Sequence, residues 1–335
     1  MVNELLYKKA FEYRKTNLWK ILWDDQIFAV KFSDKQIGYC CVMGANGEHL
    51  ALGVYIGEEG IKSYLRLAGG FINCEDWDDI EKSVSQSCLM CSFVSKNELD
   101  DEEFRAIKIC TLKLGYKINK MNQFPQFQKF IPNHFPWKIE TELEEQYMSE
   151  AFDAAFEVLE KLKTKPLNKL HLDETPHLYG RTIPLLKKKK DGSYNWGTTV
   201  LPEESDYEYE MAELYDELAY AKVKRMKVQN MTWACGLIRL PRPYIAEKGQ
   251  APAFPLAQLI VDEDSGMICN MHISNDGSAA DFPNILLDTI TNMGKPKKIK
   301  MVNIRTLALY SDFVQNLGIQ IPFKEKSTLF NKLAS

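Results

Sequence analysis

No apolar run in these 335 residues approaches the roughly 20 that would span a bilayer, so no transmembrane helix is expected. The stretch from Met1 to Lys15 is amphipathic and lacks the apolar core and small-residue cleavage site of a secretory signal. A cytoplasmic location and no membrane partner are therefore expected. A strong charge excess is also missing. The 42 Lys and Arg against 46 Asp and Glu leave −4, too little to steer the whole protein toward nucleic acid or anionic lipid. GxGxxG and the P-loop lysine are absent. The glycine pairs in Gly44-Ala45-Asn46-Gly47 and Gly57-Glu58-Glu59-Gly60 are turn and helix-start signals, and the two glutamates would repel a phosphate. No GxSxG elbow offers an activated serine. No cofactor, resident metal or catalytic residue is expected.

Cysteine is present but unpaired in pattern: Cys40, Cys41, Cys74, Cys88, Cys91, Cys110, Cys235 and Cys269, mostly in apolar runs. In a chain of this length they read as reduced, buried, small hydrophobes. Cys88-Leu89-Met90-Cys91 has CxxC spacing, yet its surroundings are those of a buried strand, not of a helix N-terminus or a second thiol pair.

What is there is ordinary globular composition, 45% hydrophobic and 26% charged, over a length that suggests two domains. Helical spacing over 3–21 leads to strand-like runs at 26–32, 37–43 and 49–55, then to a helix from Gly57, a strand at 88–94, a helix at 101–114 whose positive end suits Asp100 to Glu103 and which Gly115 stops, and a short strand from Tyr116 to Ile118. Residues 124–137, rich in Phe and Pro, read as a loop before a helix at 140–164. Pro166 opens a connector with a hairpin turning at Asp191-Gly192. After a helix at 207–228, the second half gives strands at 231–240, 256–262 and 267–273, a helix at 279–292, a strand at 298–303, a helix at 306–317 stopped by Gly318 and a short strand from Ile319 to Ile321.

Both halves thus run helix, three strands, helix, strand, helix, strand. The expected architecture is α/β (α+β): two similar tandem domains, 1–165 and 207–335, joined by the connector 166–206 with its β-hairpin. Each would hold a mixed five-stranded sheet with flanking helices. Three strands joined by short turns form an antiparallel meander, and the later strands, reached through helices, lie parallel to a strand of that sheet by right-handed crossovers. That is the element order of ribonuclease H-like folds, and it points to a domain duplication.

Ribonuclease H-like nucleases hold two metal ions with carboxylates on the first strand, the fourth strand and a helix. Here the first strands carry no inward carboxylate, and the fourth strand of the second half ends at Asn303. Asp262 and Asp264 flank a turn, a common place for Asp. Glu48 and His49 form a polar pair beside a predicted strand and could do acid–base work in a cleft between domains. The segment His171-Leu-Asp-Glu-Thr-Pro-His177 reads as a polar linker. Lys295, Lys297, Lys298 and Lys300 form a basic stretch able to contact phosphate backbones.

Several stretches resemble an uncharacterised family of Firmicutes-type bacterial proteins with two consecutive domains of unknown function. They are Trp19 to Asp25, Ile37 to Gly44, Gly47 to Leu52 and Tyr55 to Gly60 in the first half, and Leu259 to Gly266, Gly294-Lys295-Pro296 and Leu317-Gly318-Ile319 in the second. The resemblance implies the two-domain split and no activity. The expected function is therefore a non-catalytic binding or accessory protein with a protein partner as one option. Nucleic-acid binding through the basic stretch and an enzyme with an inter-domain site near His49 are the alternatives.

Overall fold

In a computed structural model of the chain, residues 3–47, 49–69, 79–116, 124–173, 177–209, 211, 216–245 and 249–322 are described. The described residues within 1–70, 85–132 and 136–205 form one compact unit; those within 71–84, 133–135 and 206–335 form a second. In chain order the helices are α1 (Glu4–Thr16), α2 (Gly57–Gly69), α3 (Asp79–Ser83), α4 (Asp101–Leu114), α5 (Glu142–Leu162), α6 (Glu217–Arg225), α7 (Phe282–Met293) and α8 (Ile304–Asn316). The strands are β1 (Phe28–Lys31), β2 (Ile37–Met43), β3 (Ala51–Ile56), β4 (Cys88–Val94), β5 (Phe124–Phe130), β6 (Trp137–Lys138), β7 (Thr182–Lys188), β8 (Tyr194–Val200), β9 (Val228–Arg239), β10 (Leu256–Asp262), β11 (Ile268–Ser274) and β12 (Lys295–Met301). No helix among the described residues is long and apolar enough to cross a membrane.

The first unit is built on an eight-stranded mixed sheet, ordered β6-β5-β4-β3-β2-β1-β7-β8. Its central strands read as continuous apolar runs because both faces are covered. On β2, Cys40 and Val42 join α1 and α5, packing with Tyr13, Met148 and Phe152, while Tyr39 and Cys41 join Ile61, Tyr64 and Leu65 of α2. The α5 residues Tyr147, Met148, Ala151, Phe152, Ala155 and Val158 recur at three- and four-residue steps, which gives this helix its buried stripe. Reciprocal capping boxes start α4 (Asp100 with Glu103) and α5 (Thr141 with Glu144), and Gly115, at φ +70°, closes α4 in the left-handed conformation.

Five strands were expected here, and the described residues hold eight. β4, expected to lie parallel to a strand of the meander, pairs antiparallel with β3. The parallel neighbour of β1 is β7, reached after α5. The Asp191-Gly192 hairpin is β7–β8, so the stretch expected to be a connector is part of the first unit's sheet. The Phe- and Pro-rich stretch contains β5, paired with β4 along its whole length. β6 pairs only with Gln128 and Lys129, so Pro125 lies where β6 does not reach, a place where a strand tolerates a missing N–H.

The second unit holds a four-stranded sheet, ordered β11-β10-β9-β12. β9, β10 and β11 form an antiparallel meander, and β12 returns parallel to β9 after α7. Of the short final strands expected, Gln320 makes a single parallel bridge with Lys298, and residues 117–118 lie outside the described residues. Trp233, Cys235 and Leu237 of β9 alternate toward one face and pack with Phe282, Leu286 and Ile290 of α7 and Tyr310 and Val314 of α8. From α1 to α4 the first unit runs helix, three strands, helix, strand, helix, as the second does from α6 to α8, yet the two differ in where the fourth strand pairs, and the first adds β5, β6, α5, β7 and β8.

Candidate functional site

The first unit carries an open cleft of about 410 Å³ between α1, the start of α4, β5 and the start of α5. Its floor is apolar: Leu6, Tyr7, Phe127 and Ile139. The Tyr7 and Phe127 rings meet edge to face, 5.2 Å apart at 87°, a geometry favoured by the ring quadrupole. Around this floor stand four carboxylates, Asp100, Glu102, Glu103 and Glu145, and one cation, Lys138.

Local structure fixes most of these groups. Asp100 caps α4 by accepting from the Glu103 N–H at 2.7 Å, and Glu103 accepts in return from the Asp100 N–H at 3.1 Å. Gln126 of β5 donates to both Glu103 oxygens, at 3.2 and 3.1 Å. Asn3, the N-cap of α1, donates from Nδ2 to Glu145 at 2.7 Å. Lys138 reaches Glu102 only at 3.8 Å, and Glu102 is largely exposed. Burial raises the Glu103 carboxyl above the ordinary glutamate range, with hydrogen bonds from Asp100 and Gln126 opposing it. Burial also pushes the Tyr7 phenol up, with the nearby Glu103 and Glu145 adding to it. Such a hollow suits a ligand with an apolar body and a positive end. In the sequence Asp100 to Glu103 are only a favourable charge at a helix start; gathering them with Glu145 and Phe127 depends on β5, whose Phe- and Pro-rich sequence has the character of a loop.

The residues singled out from the sequence lie elsewhere. His49 lines a smaller hollow of about 180 Å³ with Trp23, Asp24, Met43 and Asn46. Its Nε2 lies 3.3 Å from the hydroxyl of Ser92, a buried residue of β4, so the imidazole ties the turn to the sheet. Glu48 lies outside the described residues. Asp262, at the end of β10, is buried and accepts from the Ser265 N–H at 2.8 Å and its hydroxyl at 2.7 Å, closing the turn before β11. Asp264 is exposed in that turn. Among the described residues no group of three or more His, Cys, Asp or Glu side chains is arranged to hold a metal ion.

The basic stretch divides. Lys295 is buried and donates to the Lys224 carbonyl at 3.1 Å, and burial lowers its pKa, with Lys224 adding to the effect. Lys300 pairs with Glu263 at 2.8 Å. Lys298 is half-buried and Lys297 exposed.

Asn303, at the end of the fourth strand of the second unit, is fully used by the fold. Its Oδ1 accepts from the N–H of Thr306 at 2.9 Å and from its hydroxyl at 2.6 Å, capping α8. Its Nδ2 donates to the Leu237 carbonyl at 2.7 Å, and Thr306 Oγ1 accepts from the Leu237 N–H at 2.9 Å. The last β12 residue paired with β9 is Met301. Beyond it, two side chains replace the missing strand and satisfy both backbone groups of Leu237.

Residues 4–179 match a family described as a domain of unknown function, DUF7309, and residues 219–335 match a second, DUF6930. No curated protein matches the chain.

Proposed function

We propose a non-catalytic binding role for this chain, which belongs to the family of the domain of unknown function DUF7309, with the acid-rimmed cleft of the first unit as its ligand site. The observation that carries this is the convergence of Asp100, Glu102, Glu103 and Glu145 on an aromatic and aliphatic floor. Its volume of about 410 Å³ lies in the range of small-molecule sites, which combine apolar walls with a few placed polar groups. A carboxylate rim selects a cation, and the floor rewards an apolar stem. The ligand is therefore an organic ammonium or guanidinium on an apolar body. A cytoplasmic setting is part of this proposal.

For the second unit, the order β11-β10-β9-β12 with β12 parallel to β9 supports a ribonuclease H-like arrangement. No activity follows from it, because function resides in the site and not in the topology. At the carboxyl end of β12 the Asn303 amide is committed to the backbone, which supports a structural use of that position.

The test is a thermal-shift series on the full chain with phenethylammonium, agmatine and spermidine, each against a neutral analogue and matched salt. The binding reading predicts a saturable rise in Tm for at least one cation, because a ligand of the folded state alone stabilises it by mass action. Glu102→Gln together with Glu145→Gln should remove the rise. Equal shifts from neutral analogues, or a rise untouched by those substitutions, would overturn it.

A further inference from the structure

Away from that cleft, the second unit holds a pair of arginines on one carboxylate. Arg305, in the first turn of α8, grips Glu81 of α3 with both ends of its fork: Nη1 to Oε1 at 2.8 Å and Nη2 to Oε2 at 2.7 Å. Arg239, at the end of β9, brings Nε to 3.4 Å from the same Oε1, an ion-pair distance without good hydrogen-bond geometry. Its side chain is only 3% exposed, and its Nη1 donates to the Phe254 carbonyl at 2.9 Å. Both arginines line a small cleft of about 80 Å³ with Asn133, Tyr207, Glu208, Tyr209 and Gly277.

Three features set this apart from a surface ion pair. Arg239 is held almost wholly out of water, where a cation is costly unless matched by an anion. Gly277, at φ +78°, leaves it room: a Cβ there would stand 2.6 Å from Arg239 Nη1 and 2.8 Å from the Phe254 carbonyl oxygen. The cleft lies at the carboxyl end of a central strand, where open α/β sheets place their ligands, and the Tyr207 and Tyr209 rings on its wall meet edge to face at 4.8 Å.

We propose that the Arg239–Arg305 pair is a binding site for a small oxyanion, a carboxylate or phosphate group, and that Glu81 occupies it as an internal stand-in which the ligand displaces. The planar guanidinium fork matches both anions bidentately. The carboxylate now in the fork comes from one side chain of the five-residue helix α3, and the ligand takes its place in the fork. Glu208, on the cleft wall, sets a limit on the charge the ligand can carry.

Glu81→Gln removes the competing charge and keeps the shape. Titrating this variant of the full chain with inorganic phosphate, and separately with acetate, in thermal-shift and calorimetric formats at constant ionic strength tests the site. The expected result is saturable binding at least tenfold tighter than to the wild type, lost again in Glu81→Gln/Arg305→Gln. A response to phosphate alone identifies a phosphate ester as the ligand class, and a response to acetate alone a carboxylate. Should Glu81→Gln melt too low to titrate, Glu81→Ala with acetate serves: recovery of Tm beyond that given by equal chloride supports the site. No saturable binding to either variant, or binding that survives loss of Arg305, overturns it and leaves Glu81 as a structural ion-pair partner.

Discussion

Replacing Asn303 probes how the second unit ends its sheet. The amide has two jobs, capping α8 through Oδ1 and satisfying the Leu237 carbonyl through Nδ2. Loss of an N-cap costs about 1 kcal/mol, and a buried carbonyl left without a donor costs about 1–3 kcal/mol. Asn303→Ala removes both, so the expected loss is about 2–4 kcal/mol. Asn303→Asp separates the terms. Aspartate caps as well as asparagine, but it puts an acceptor where Leu237 needs a donor, so only the second cost of about 1–3 kcal/mol remains. Urea unfolding of the full chain, read as a shift in midpoint at unchanged slope, measures both variants. A loss under about 0.5 kcal/mol for Asn303→Ala, or an Asn303→Asp as stable as wild type, would refute the two-job account.

Gly60→Ala should cost about 1–3 kcal/mol, because its Cβ would stand 2.7 Å from the Tyr55 carbonyl carbon, a backbone atom that cannot swing aside; a neutral melting temperature would contradict this. Native thiol labelling followed by mass spectrometry should modify Cys269, which is half-buried, ahead of Cys88 and Cys235, whose thiols burial pushes up to about 12; labelling of Cys88 at the rate of Cys269 would contradict it. Burial raises the Glu103 carboxyl in the folded state, so its ionised form is penalised there. That penalty is absent below the unfolded value and complete above the folded one. Glu103→Gln should therefore gain on wild type as pH rises through and just above the ordinary glutamate range. Stability curves that stay parallel across that range would contradict it.

Much of the fold was legible where apolar pattern and punctuation agree. The runs that become β2, β3, β4 and β10 are apolar on both faces or bounded by glycine turns, and the helix α4 announces itself by its acidic start. β5 was hidden because Phe124-Pro125-Gln126-Phe127 looks like a loop, and its strand character comes from pairing with β4. The source of the parallel strand in the first sheet is hidden for a related reason. A helical connection allows either neighbour, and the apolar run Ile183-Pro184-Leu185-Leu186, read as one side of a connector hairpin, supplies the parallel strand. The cleft stayed invisible because its acids also serve as caps, and the arginine pair because its members are more than sixty residues apart in the chain, at Arg239 and Arg305. Asp262 and Asn303 were noticed for their chemistry, and their hydrogen bonds are those of a turn and a cap.

The binding role of the first unit is tested most directly by hydrogen exchange on the full chain with and without saturating phenethylammonium. The account predicts slowed exchange confined to the four stretches that line the cleft: residues 3–7, 100–106, 125–127 and 138–145. Unchanged exchange there, or protection that falls only on other segments, would contradict it.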